Sequence, residues 1–402
     1  MKNLISYTSL LFVLFFLGAS DLSYAQTPVD ELTSGRGGII LIDEPGHYFL
    51  RDTLWVTTTN SDGIIINSDN VTLDLNGFAI IAGTPASDNG IFVDGSHSNI
   101  TIKNGTVSGF GEDGIHGLNA DQSTFQHLLL KNNGDEGLTA DFNCLITNCT
   151  ATGNGTEGFD VDDGTIIRNC TASHNGAEGI QSSEGCIIAY CTSFKNGGDG
   201  ISVAAGGKVE GCTVYDNTLF GLDIALGVLC INNVVYRNGW HGIDVFNSGL
   251  VLYNVSNNNG QCITNGTCGI GTNGQGENTS QGAGIRTFAN ARIMYNQCDG
   301  NYFGIVAAGS DGTFISNSTQ HNRHAGIFGR ISGSLYLKNT AEGNGFAQSP
   351  STSDLAIYPL GDIVFSPLAY PGSSIGPVID VSNAGDISTL SGASHPFSNF
   401  TY

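Results

Sequence analysis

Short apolar triplets separated by glycine and asparagine run through most of the chain, and over residues 137–242 they recur with one fixed period. Gly137, Gly158, Gly179, Gly200, Gly221 and Gly242 stand 21 residues apart, and each is followed by Leu, Phe or Ile. Two positions beyond that apolar residue stands another small or apolar one, such as Ala140, Val161, Val203, Ile224 or Val245. Alternation at period two turns both inward and sends the residue between them outward, which predicts a short strand with one buried face. A second inward column runs through Ile146, Ile167, Ile188, Val209, Cys230 and Val251. Cys149, Cys170, Cys191 and Cys212 mark a third. Three short strands per 21-residue unit, without helical periodicity, describe a solenoid whose units bury a face only by stacking.

The same opening glycine, followed by Ile, Leu or Phe, extends the array in both directions. It is found at Gly63, Gly90 and Gly114 before the regular stretch, and at Gly284, Gly304 and Gly326 after it. Asn133, Asn154, Asn175, Asn196, Asn217, Asn238 and Asn259 form a further register, expected to be a turn ladder of amides bonding the copies above and below. The recurring Gly-Ile-x-Val, the Asn-Cys-Thr bend and the Asn-Gly-x-Glu closure resemble the right-handed parallel β-helix repeats of the pectin-lyase-like superfamily. That resemblance implies an all-β, single-stranded right-handed parallel β-helix of about twelve turns. The superfamily holds pectate lyases, polygalacturonases, alginate lyases and epimerases, but also non-enzymes, adhesins and tailspikes, so the fold does not carry the activity.

The pattern divides the chain. Residues 1–25 have Lys2, an unbroken apolar run over 10–17 and Ser23-Tyr24-Ala25, which is the form of an export signal cut after Ala25. That run is too short to span a bilayer comfortably, and a secreted or periplasmic protein is expected. Residues 26–62 are expected to be an N-terminal cap, 63–346 the β-helix, and 347–402 a C-terminal cap or extension. The period breaks once, between Gly242 and Gly284, where residues 257–283 lose the apolar registers and become rich in Gly, Asn, Gln and Thr. A loop leaving the coil is expected there, and such loops commonly wall a binding groove. Cys262 and Cys268 flank a short polar stretch of it and are the candidate disulfide, whereas the laddered cysteines read as buried thiols.

Charge then narrows the partners. Thirty-six acidic residues against 14 basic give a formal net charge of −22. Such a field excludes nucleic acid and anionic membranes as partners. It also opposes a polyanionic polysaccharide unless a cation or a local basic group intervenes. A monomer acting on polysaccharide or a surface glycan is expected.

Chemistry on a coil is built from one outward column of adjacent turns. An acidic column precedes the opening glycines: Asp113, Glu136, Glu157, Glu178 and Asp199, changing to Phe220 and His241. Polygalacturonases carry catalytic Asp and His in this register, and Asp-Gly at 199 and His-Gly at 241 are similar in kind. The Asp-Asp pair and the Arg-x-Lys of that family are missing here. The outward position of the first strand reads His116, Thr139, Asp160, Gln181, Ser202, Asp223, Asp244 and Arg286. Asp223, Asp244, Arg286 and His241, beside the insertion, form the candidate catalytic group, with Trp240, Phe246 and Phe288 as candidate sugar-stacking aromatics. In a uronate lyase the carboxylates hold a cation on the substrate and Arg286 or His241 takes the proton; in a hydrolase Asp223 and Asp244 are acid and base. A salt-bridge ladder without catalysis, in a glycan-binding surface protein, accounts for the same residues. Asp160 and Asp162 are candidate Ca²⁺ ligands.

Overall fold

The computed structural model describes residues 26–29, 40–83, 88–260, 282–329 and 334–344, and, as backbone strands alone, 361–365, 374–375, 378–380 and 399–401. The export signal and its cut after Ala25, the Cys262–Cys268 pair and most of 347–402 lie outside these residues.

The chain winds into a right-handed coil of about 13 turns in which every turn adds strands in parallel register, with no α-helix among the described residues. The first strands of successive turns form one 14-stranded parallel sheet, and the second and third strands together build a 28-stranded one. Pairing is turn upon turn: Ile201 on Leu222, Leu222 on Ile243, Ile243 on Ile285. The two inward positions of each first strand are buried along the whole coil, as are the second-strand aliphatics, so the core is a column rather than a globule. The four laddered cysteines are free thiols at about 1% exposure or less, filling that column as small apolar groups.

The opening glycine has a steric cause. A Cβ on Gly158 would fall 2.6 Å from the carbonyl oxygen of Gly179 and 2.7 Å from the Asn175 amide nitrogen. That amide belongs to the asparagine ladder: Asn154 donates from Nδ2 to Asn175 Oδ1 at 3.0 Å, and Asn175 does the same to Asn196. The ladder asparagines themselves are not in the left-handed region. The residue before each one is, for example His174, Lys195 and Asp216, with φ near +57°. A second ladder continues where the cysteines stop: Asn233, Asn254, Asn296, Asn317 and Asn339 bond one another in turn.

Strands of the expected N-terminal cap already belong to the coil. Ile40–Ile42 pairs with Ile64–Ile66, Gly46–Phe49 with Val71–Asp74, and Leu54–Val56 with Ala79–Ala82. Beyond residue 346, Gly361–Phe365 adds another first strand on Ala325–Gly329. At the period break the coil does not lose a turn. Asp244 pairs directly with Arg286, and Asn259 reaches Asn301. The chain leaves at Gly260 and returns at Gly282, where a Cβ on the first would lie 2.0 Å from the Cα of the second. The intervening residues 261–281 lie outside the description.

Candidate functional site

Parallel register puts Asp223, Asp244 and Arg286 in one outward column on three consecutive turns. Arg286 grips Asp244 with two parallel hydrogen bonds, Nε to Oδ1 at 2.6 Å and Nη2 to Oδ2 at 2.5 Å. Asp244 is only 6% exposed, so this is a nearly desolvated fork-on-fork pair. The guanidinium also lies over two rings, 5.6 Å from the centre of Phe220 and 5.1 Å from that of Phe288. Arg286 is thereby committed to Asp244 and does not reach outward as a free cation.

His241 is buried just behind this pair. Its Nδ1 accepts the Ala283 backbone N–H at 2.9 Å, so the ring proton sits on Nε2 and the imidazole is neutral. Burial, and then the Arg286 charge, hold its pKa well below the ordinary histidine value. Phe220 stacks on it at 5.5 Å and 10°, and Trp240 meets Phe220 edge-on. The sequence places His241 and Arg286 as bases, whereas the geometry occupies the accepting nitrogen of one and the fork of the other.

Asp223 is the group that stays open. It lines a groove of ≈ 390 Å³ with Gln181, Ser202 and Phe246, and Phe246 is 57% exposed there. Burial, then repulsion from Asp244, pushes Asp223 up to about 6 against the pull of Arg286. Behind it in the neighbouring column, buried Asp199 accepts the Phe220 N–H at 2.8 Å and is pushed up to about 7, mainly by burial and also by Asp223 and Glu178. Burial thus holds both carboxyls above the usual carboxylate range. Phe288 packs against Phe246 at 5.6 Å, while Trp240 is turned towards Phe220 and does not line the groove.

The expected calcium ligands Asp160 and Asp162 stand within one first strand, Phe159–Val161, and just after it. Ca²⁺ takes six to eight oxygens. Asp162 Oδ1 already accepts the Ser183 hydroxyl, and burial lifts Asp160 to about 6. Among the described residues, the three ligand-type groups whose oxygens lie within 4.8 Å of one another are Asp113, Asp135 and Glu136.

A further pairing links residues from two columns that the sequence listed separately. His116 Nδ1 meets Asp113 Oδ2 at 2.8 Å, and the same oxygen lies 3.4 Å from Thr139 Oγ1. Asp113 is buried, and its other oxygen accepts the Glu136 N–H at 3.1 Å. Burial would raise the Asp113 carboxyl, but the His116 and Glu136 hydrogen bonds outweigh it and hold it below the usual range. The Asp113 hydrogen bond raises His116, against burial. Glu136, half-buried and bonded to Asp113, is pushed up to about 8. An i, i+3 contact across the corner between turn and strand was the available signal.

The coil, its repeat and its outward columns define a parallel β-helix with a polar, groove-bearing first-strand sheet. The chain belongs to the family described as the right handed beta helix region, which matches residues 52–186 and 139–284. Among solved structures it is similar to the mannuronan C-5 epimerase AlgE6 A-module of Azotobacter vinelandii, at 17% identity and TM-score 0.55, over 84% of this chain and 93% of that one. The AlgE4 A-module of the same organism is 15% identical with a TM-score of 0.47, over 87% and 88% of the two chains. Pectate lyase Pel9A is 13% identical with a TM-score of 0.33, over 90% and 79%. At such identities the likeness is one of fold. No curated protein matches the chain.

Proposed function

We propose that this is an exported carbohydrate-active enzyme that holds a polysaccharide along the first-strand sheet and does acid–base chemistry at Asp223. One observation carries the reading: a groove-facing carboxyl held near pKa 6, beside exposed Phe246 and in front of the closed Asp244–Arg286 pair. A general acid or base works best with a pKa near the working pH. Asp223 meets that need, with Asp199 behind it as a neighbouring proton carrier. Since Arg286 and His241 are both engaged, cleavage of a glycosidic bond suits the site better than elimination driven by a free cation. The net charge of −22 likewise favours a neutral or sparsely charged glycan.

A uronate-containing polysaccharide is the second reading, with a lyase-like or epimerase-like reaction. The fold neighbour AlgE6, a mannuronan C-5 epimerase, favours it. So do the raised carboxyls, which in their neutral form let an anionic sugar approach where ionised ones would repel it.

The full chain is offered a panel of neutral and uronate polysaccharides, with calcium and with a chelator. New reducing ends report cleavage, ultraviolet absorbance reports an unsaturated product, and proton exchange with solvent reports epimerisation. Asp223→Asn is expected to lower turnover by about 10²-fold or more, the usual share of one acid–base group. Full activity in that variant removes Asp223 from the chemistry. Glycan binding without turnover on any substrate makes the protein a binding module.

A further inference from the structure

We propose that Asp113, His116 and Glu136 form a second acid–base centre on the same sheet, acting on a glycosidic bond of a neutral polysaccharide. Three features of geometry carry this. Buried Asp113 takes the His116 Nδ1–H at 2.8 Å, which fixes the tautomer and leaves Nε2 as the accepting nitrogen. His116 occupies an outward first-strand position between Phe92 and Thr139, its side chain 27% exposed, and packs on the Phe92 ring at 5.3 Å. The Glu136, Asp113 and Asp135 carboxyls crowd within 4.8 Å, and burial together with buried Asp113 favours the protonated form of Glu136 there. The centre lies five turns from Asp223 through Thr139, Asp160, Gln181 and Ser202, about 24 Å at the usual strand spacing. One extended polymer chain on the sheet reaches both, so this inference rests on the sheet being the glycan-carrying face.

The step balances without a cofactor. His116 Nε2 takes a proton from a water molecule whose oxygen bonds to the anomeric carbon. The bond from that carbon to the glycosidic oxygen breaks, and the oxygen takes the Glu136 proton. Deprotonation of His116 and reprotonation of Glu136 from solvent restore the centre. Asp62, Glu112, Asp113 and Asp135 surround His116 and Glu136 with negative charge, which selects a substrate without carboxylates at the bond. The base works above the raised His116 pKa and the acid works below about 8, so turnover peaks in a narrow window near neutrality.

The test uses the full chain and release of reducing ends from neutral polysaccharides between pH 5 and 10. His116→Gln and Glu136→Gln are each expected to lose about 10²-fold or more. Residual activity of Glu136→Gln is expected to lack the fall above pH 8. If His116→Gln does not fold, Glu136→Gln and its pH profile decide alone. Asp223→Asn run in parallel separates the two centres. Loss confined to Asp223→Asn overturns this inference and keeps the earlier reading. Loss confined to the other two does the reverse, and loss in all three means that both centres act. No reducing ends from any substrate, or undiminished release in all three variants, overturns both.

Discussion

Two places on one sheet bury an aspartate under a cation, and they differ in what the cation leaves over. At residues 113–136 the partner is an imidazole held through one nitrogen, its side chain still 27% exposed. At residues 244–286 the partner is a guanidinium held through two nitrogens and pressed between two rings. An imidazole pair weakens when its ring loses a proton near neutrality; a bidentate guanidinium pair keeps its charge. The first place is therefore built to titrate. The second is built to stay closed, and its closure hands the titrating role to Asp223 and Asp199 beside it.

Breaking the closed pair should give the largest effect. Arg286→Ala leaves Asp244, 6% exposed, without a partner, and removing one half of a buried pair costs about 3–5 kcal/mol. Denaturant titration at pH 7 measures it. Asp244→Ala/Arg286→Ala is expected to cost less than the two single losses combined, because the stranded charge is gone. A loss below about 1 kcal/mol in Arg286→Ala would place the pair with ordinary surface ion pairs and erase the contrast.

Asp199 supplies the next test, with the opposite sign. Its folded pKa of about 7 lies above the unfolded value, so the folded state binds the proton more tightly. The penalty is absent below about pH 4, grows as pH rises towards 7, and is complete above it. Asp199→Asn keeps the oxygen that accepts the Phe220 N–H. It is expected to stabilise the fold on the order of 3 kcal/mol at pH 8 and not at all near pH 3. Equal stabilisation at both values would mean that the raised carboxyl is not the cause.

Much of this architecture was legible because translation by 21 residues is also translation by one turn. Columns in sequence, such as Ile201, Leu222 and Ile243, are columns in space. The same rule stacks Asp223 on Asp244, and taking residues 257–283 as an excursion from the coil puts Arg286 on the next turn. It fails where the relation is not a translation. The Asp113–His116 contact turns a corner within one turn, joining two columns that periodicity keeps apart. The tautomer of His241 depends on the Ala283 N–H, delivered from beyond an insertion of unreadable register. The second asparagine ladder hid because it inherits a register occupied by cysteine up to Cys212. The coil's ends blurred for a related reason: Ile40–Ile42 and Gly361–Phe365 stack in register without the opening-glycine spacing that marks the middle.

The smallest effect sharpens the comparison most, because it asks whether the open pair behaves as a titrating one. His116→Gln removes an imidazole whose folded pKa is raised by Asp113. A raised histidine contributes stability that is full below its unfolded pKa, about 6.5, and is lost as pH rises through the folded value. Wild type should therefore exceed His116→Gln by about 1 kcal/mol at pH 5, the scale of one hydrogen bond at a partly exposed side chain, and by much less at pH 9. The same denaturant titrations at the two pH values read it. Arg286→Ala, measured alongside, should keep its full loss at pH 9, since a guanidinium keeps its charge throughout. If the His116 difference is as large at pH 9 as at pH 5, the imidazole is held by packing on Phe92 rather than by its proton, and the two places are alike after all.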